Sequence, residues 1–107
     1  MVCSSAWDKK AEAIVIMEMK QRAAFCDYFI LMSAPSTVRV KAIVDHIEEE
    51  FKKQDAPARH REGYQDALWV LLDYNEVVVH VFHEETRKFY NLESLWGDVH
   101  KRSFKKG

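Results

Sequence analysis

Residues 69–82, WVLLDYNEVVVHVF, constrain the fold more than any other stretch of the chain. Val, Leu and aromatic residues crowd both sides of Asn75-Glu76. That composition fits the pleated, half-buried surface of a strand better than it fits a helix. The sequence therefore predicts strands over 69–74 and 77–82, joined by a tight turn. Asn75 tolerates the positive φ that a two-residue loop requires. Glu76 does not, which leaves a wider turn open.

The turn sets a register, and the register sorts the side chains. With Asn75-Glu76 as the loop, Tyr74 lies opposite Val77, Leu72 opposite Val79 and Val70 opposite Val81, a wholly apolar face expected under helices. The other face sets Asp73 against Val78, Leu71 against His80 and Trp69 against Phe82. It mixes large aromatics with a carboxylate and an imidazole. Two uses are open for it. It is a working surface, or it is packed under another helix with Asp73 and His80 hydrogen-bonded to each other.

Upstream, residues 13–19 (AIVIMEM) predict a strand with Ile14, Ile16 and Glu18 on one side and Val15, Met17 and Met19 on the other. Residues 20–24 make a turn, and 26–33 (CDYFILMS) form the second arm of a hairpin. Pro35 then breaks the strand, and Ser36 or Thr37 can cap a helix over 38–53. Its apolar stripe is Val40, Ile43, Val44, Ile47 and Phe51, with Glu48-Glu49-Glu50 on the solvated face. Residues 54–65 read as a polar loop carrying a small basic cluster, Arg59, His60 and Arg61. Residues 84–98 have helical composition, with Phe89, Leu92 and Trp96 spaced to share a side and Asn91 placed to break the run in two. The chain thus divides into an irregular lead-in over 1–8, a domain over 9–98 and a frayed basic tail over 99–107.

These elements predict an α/β or α+β domain: a small mixed sheet with helices, in which the long helix between the hairpins is a crossover that makes one parallel pair. A length of 107 residues suits a single core. The formal net charge of −1 gives no global pull toward nucleic acid or anionic membrane. Cys3 and Cys26 make no metal-type spacing, and Cys26 reads as a buried thiol. No apolar run reaches membrane-spanning length and no signal-peptide pattern is present, so the expected location is cytoplasmic or an organellar matrix.

Catalytic motifs are sparse. The glycines are Gly63, Gly97 and Gly107, so neither a nucleophile elbow nor a phosphate-cradling loop can be written. His80 and His83 point to opposite faces of a strand, and His46 stands alone in the long helix. Asp73 and His80 are the one pair placed to orient each other as a carboxylate and imidazole would in a degenerate transferase or hydrolase. No nucleophile accompanies them. No catalytic residue, cofactor or metal is expected.

Three ordered blocks resemble a known family. Asp27-Tyr28-Phe29-Ile30, Ser33-x-x-Ser36 and Val40-Lys41-Ala42-Ile43 form the first. Residues 69–74 with 77–82 form the second, and Arg87-x-x-Tyr90-x-Leu92-Glu93-x-Leu95-Trp96 the third. Together they are similar to the Iojap-related ribosomal silencing factors. The resemblance departs where the family has Ser-Gly-Thr-Ser before its helix; this chain has Ser33-Ala34-Pro35-Ser36, which makes close backbone approach by a ligand there less favourable. The helix that precedes Lys9-Lys10-Ala11 in the family has no visible counterpart, which predicts a partly uncovered face.

The resemblance implies a domain shaped like a nucleotidyltransferase without its catalytic carboxylates. It implies binding to the large ribosomal subunit through the fourteenth protein of its series, with little direct RNA contact, and steric obstruction of subunit joining that represses translation. Mitochondrial and chloroplast relatives act in large-subunit assembly. A domain of this length has a radius of gyration of roughly 13 Å, thick enough to hold two subunits apart. The residues expected to make the contact are Trp69, Leu71, His80, Phe82, Arg87, Lys88 and Tyr90. Self-association through an exposed sheet edge, giving a homodimer, is a further partner expectation.

Overall fold

The hairpin at the centre of the sequence forms in the expected register. A computed structural model describes residues 2–20 and 26–105. In chain order the elements are α1 (Val2–Asp8), β1 (Glu12–Glu18), β2 (Tyr28–Ala34), α2 (Thr37–Lys53) and β3 (His60–Glu62). There follow β4 (Trp69–Asp73), β5 (Val77–His83), α3 (Glu84–Tyr90), α4 (Leu92–Leu95) and β6 (Lys101–Ser103). Val70 pairs with Val81, Leu71 with His80, Leu72 with Val79 and Trp69 with Phe82. Asn75 takes the turn at φ 74°, and its backbone N–H donates to Asp73 Oδ1 at 2.8 Å.

All strands join one six-stranded sheet in the order β3-β4-β5-β2-β1-β6. β2 and β5 run parallel and the other neighbours antiparallel, so the sheet is mixed and the fold α+β. The chain leaves β2 through α2 and returns along the β4–β5 hairpin, and that crossover makes the parallel pair. Most of the expected turn at 20–24 lies outside the described residues.

On one face, Val70, Leu72, Val79 and Val81 form a core with Val40, Ile43, Val44 and Ile47 of α2. Ser36 caps that helix, its Oγ accepting from Arg39 N–H at 3.2 Å, and Phe51 packs half-buried at the far end. Each fully buried aliphatic side chain here contributes about 1.5–3 kcal/mol. The opposite face holds a second cluster, Met17, Met19, Cys26, Phe29, Leu31, Val78 and Phe82, with Leu71, Leu92 and Trp96 packed half-buried against it. The alternation expected in β1 holds: Ile14 and Ile16 face the first core, Met17 and Met19 the second.

Three segments differ from expectation. The lead-in is helical: α1 buries Val2, Cys3 and Ala6 in the first core, so the face expected to be uncovered has its helix. The polar loop contains β3, three exposed residues at one edge of the sheet. The basic tail contains β6, which pairs with β1 at the other edge. Lys101 explains part of that order, because its Nζ donates to the Trp96 carbonyl at 2.8 Å instead of pointing to solvent. Asn91 does split the C-terminal helical run, by adopting φ 45°, ψ 58° at the junction of α3 and α4. That turn separates Phe89 from Leu92 and Trp96, and Phe89 is 81% exposed rather than packed beside them.

Candidate functional site

Aromatic rings on β4 and β5 form a chain that starts in the second core and ends at the surface. His80 lies 4.6 Å from Phe29, ring to ring. Phe82 stacks on Trp69 at 5.0 Å, Trp69 meets Tyr90 of α3 at 4.9 Å, and Tyr90 meets Phe89 edge-on at 5.0 Å. Register explains the inner half, since Trp69, Leu71, His80 and Phe82 share one face of the hairpin. The outer half comes from α3, which starts directly after β5 and is capped by His83, whose Nδ1 accepts from Glu85 N–H at 3.3 Å.

The expected contact residues divide into floor and surface. Phe82 is 1% exposed and His80 4%, so neither offers atoms to a partner. Arg87 is buried as well. Its Nη1 donates to the Ala13 carbonyl at 2.7 Å and to Ser33 Oγ at 3.1 Å, and its Nη2 meets Glu93 Oε2 at 3.1 Å. Ala13 stands at φ 48° beside an irregularity in β1, so the guanidinium ties α3 and α4 to a distorted strand end. Trp69 and Leu71 are half-buried; Lys88 and Tyr90 are exposed.

The expected Asp73–His80 hydrogen bond does not form. Asp73 accepts from the Asn75 backbone and holds the hairpin turn. His80 Nδ1 instead accepts from the Trp69 indole N–H at 3.0 Å, which puts the proton of a neutral imidazole on Nε2. Nε2 is buried without a hydrogen-bond partner among the described residues. Burial pushes the His80 pKa down to about 4. The imidazole is thus a neutral acceptor that orients Trp69. The basic cluster near the β3 edge is engaged within the fold: His60 meets Glu62 at 2.8 Å, Arg61 pairs with Glu48 at 2.9 Å, and Arg59 donates to the neutral Asn75 Oδ1 at 2.8 Å.

Where the ring chain reaches solvent, large apolar side chains stand open. Leu68 is 48% exposed and Tyr90 51%, beside Phe89; Leu95 of α4 is 70% exposed. Leu68, Trp69, Phe89 and Tyr90 line a depression of about 430 Å³, with Asp66 and Glu85 at its rim. Gly63 also lines it and lets the chain pass close to Trp69: a Cβ there would lie 2.1 Å from the Trp69 carbonyl oxygen, and φ is +80°. Leu68, Phe89 and Leu95 were not among the expected contacts. In the sequence Phe89 shares the spacing of Leu92 and Trp96 and nothing in the pattern marks it as exposed; the left-handed turn at Asn91 takes it out of that stripe. Among the described residues no group of three His, Cys, Asp or Glu side chains is placed to hold a metal ion.

A profile for the family described as ribosomal silencing factor during starvation matches residues 1–106. The chain belongs to the ribosomal silencing factor family. It is 43% identical over 92 residues to a ribosomal silencing factor of Halalkalibacterium halodurans, covering 86% of this chain and 79% of that one. It is 28% identical over 99 residues to the mouse protein named mitochondrial assembly of ribosomal large subunit protein 1, covering 90% of this chain and 43% of the mouse protein. A crystal structure from Bacillus halodurans superimposes with a TM-score of 0.83 at 35% identity, over 98% of this chain and 93% of that one. The family is one of silencing factors and not of enzymes, and its role is ribosome-associated and concerns translation.

Proposed function

We propose that this silencing factor docks on the large ribosomal subunit, through the fourteenth protein of its series, and obstructs joining of the small subunit. The observation that carries the reading is the exposed patch of Leu68, Phe89 and Tyr90 around Trp69. Contiguous exposed aromatics set on a packed floor are what the centre of a protein–protein interface looks like before its partner arrives. The near-zero charge argues against attraction to RNA backbone as the main source of affinity.

Bulk supplies the mechanism. The domain measures 32 × 31 × 31 Å with a radius of gyration of 12.7 Å. Contacts that bridge two subunits act at hydrogen-bond distances of about 3 Å, so a rigid body of this thickness at the joining surface excludes them without any chemistry. Bacterial relatives bearing the silencing-factor name suit action in the cytoplasm. Saturating protein added to bacterial subunits should shift them from joined ribosomes to free subunits in a sucrose gradient. Phe89→Ala should weaken that shift while leaving the fold intact. Normal joining at saturating protein would refute the reading.

A second reading is favoured by the name of the mouse relative, which refers to assembly of the large subunit. Under it the domain accompanies an immature large subunit, and depletion should accumulate large-subunit precursors. Self-association through a sheet edge is the weaker alternative. The edge strands β3 and β6 each have three residues, too short to template a stable pairing. Sedimentation as a monomer across a wide concentration range would remove it.

A further inference from the structure

The depression beside Trp69 has a chemistry of its own. Its walls are the rings of Trp69, Phe89 and Tyr90, and its rim carries the carboxylates of Asp66 and Glu85. Phe89 and Tyr90 stand at 87° to each other, and Trp69 is inclined to Tyr90 by 49°, so the three rings that line the space present faces in different directions. An aromatic face is the negative side of a quadrupole, and it attracts a cation placed over it. Among the described residues no basic side chain lines the depression. A cation that meets one of these carboxylates is Lys88, 3.6 Å from Glu85, with both side chains exposed to solvent. Pairs of that kind contribute little and exchange readily.

We propose that the depression receives a basic side chain, arginine by preference, that projects from the protein partner of this surface. The proposal rests on the reading of the patch as the docking surface and adds the partner's chemistry. A guanidinium is planar, so it can lie on one ring while its edge N–H groups reach a carboxylate at the rim. A lysine ammonium can do the second but stacks poorly. A nucleic-acid backbone is the wrong partner here, because two carboxylates would face its phosphates. The depression is open to solvent and its volume of about 430 Å³ exceeds that of a single side chain, so it has room for a guanidinium.

The test has two arms. In the first, the isolated protein is titrated with the capped peptide Gly-Arg-Gly and its uncharged citrulline counterpart, followed by NMR. The arginine peptide should shift the ring resonances of Trp69 and Tyr90, and the citrulline peptide should shift them far less. Equal shifts from both, or none from either, overturn the receptor whatever the ribosome does. In the second arm, binding to purified bacterial large subunits is compared for the native protein, D66N/E85Q and Phe89→Ala. The double substitution touches exposed side chains and leaves the rings in place; it should weaken binding about fivefold, the scale of two solvent-exposed charge pairs, and flatten its salt dependence. If D66N/E85Q binds like the native protein while Phe89→Ala does not, the patch docks but takes no cation. If no subunit binding is seen even with the native protein, the broader reading fails, and the peptide arm alone decides the receptor.

Discussion

One sheet has two faces, and they are covered in different ways. Over the first lie the short α1 and, for most of its area, α2, a helix of 17 residues whose Val40, Ile43, Val44 and Ile47 meet a row of valine and leucine. Over the second lie α3 and α4, of seven and four residues, tied down by one buried arginine and resting on rings that carry polar atoms. The first face buries most of its apolar surface, with Ile16, Phe51 and Val77 half-buried at its margin. The second stops short, and Phe89, Tyr90 and Leu95 stay in water. Aliphatic packing under a long helix is insensitive to orientation and yields stability. Aromatic packing with hydrogen-bonded nitrogens fixes orientation, and that is what a docking surface needs.

The largest effect expected from breaking this contrast lies on the first face. Ile43 is fully buried, and Ile43→Ala should destabilise the domain by about 4 kcal/mol, toward the upper part of the range for such truncations. Urea denaturation reads it, and the folded fraction should bind subunits normally. On the second face Arg87→Ala should cost about 3 kcal/mol. The cost sits at the low end for a broken buried pair because the Glu93 side chain is 32% exposed and can be resolvated. Its signature differs, because α3 loses its tie to Ala13 and Ser33 and binding should fall even in molecules that remain folded. Equal binding per folded molecule for the two variants would erase the distinction between the faces.

The first face was legible in the sequence because regular burial leaves a regular pattern. The 3.6-residue stripe of α2, the alternation of β1 and the apolar side of the hairpin each encode one-sided burial, and Asn75 at φ 74° set the register. The misses share a cause. Glu62 and Arg102 sit in edge strands of three exposed or half-buried residues, where neither side has to be apolar. Val2, Cys3 and Ala6 bury a helix too short to display a period. On the second face, Arg87 reads as an ordinary surface cation in the sequence. Its burial depends on a carbonyl 74 residues away. His80 was assigned to Asp73 when its partner is Trp69, because both lie within reach across the hairpin and pattern alone does not choose between them.

His80 supplies a contrast that depends on pH. Its folded pKa, lowered to about 4 from 6.5 by burial, means that between those values the unfolded chain takes up a proton that the native imidazole refuses. Stability therefore holds above about pH 6.5 and declines as pH falls toward 4. The shift corresponds to about 3 kcal/mol at most. His80→Phe should remove this component, so the urea midpoint should drop less between pH 7 and pH 4.5 than it does in the native protein. It also deprives the Trp69 indole of its acceptor, so docking should weaken at neutral pH. An unchanged pH profile in the variant would mean that the imidazole already titrates normally in the fold.

The smallest expected effect on stability belongs to the residue expected to matter much for docking. At 81% exposure, Phe89 has little apolar contact to lose, and surface substitutions of this kind stay within about 0.5 kcal/mol of neutral. A benzyl group kept in water by a folded domain is retained against its own solvation preference. It lies at the mouth of the depression, at the end of a ring chain held in place by His80 and Phe82. Truncating such an anchor at an interface typically costs about 2 kcal/mol or more of binding. Phe89→Ala should therefore leave the urea midpoint where it was and reduce affinity for the large subunit by roughly thirtyfold. Ile43→Ala should show the opposite combination in the same two assays. A Phe89→Ala protein that was destabilised but still bound would place Phe89 in the core and move the docking surface elsewhere, Val38 and Trp7 being exposed apolar residues outside the patch.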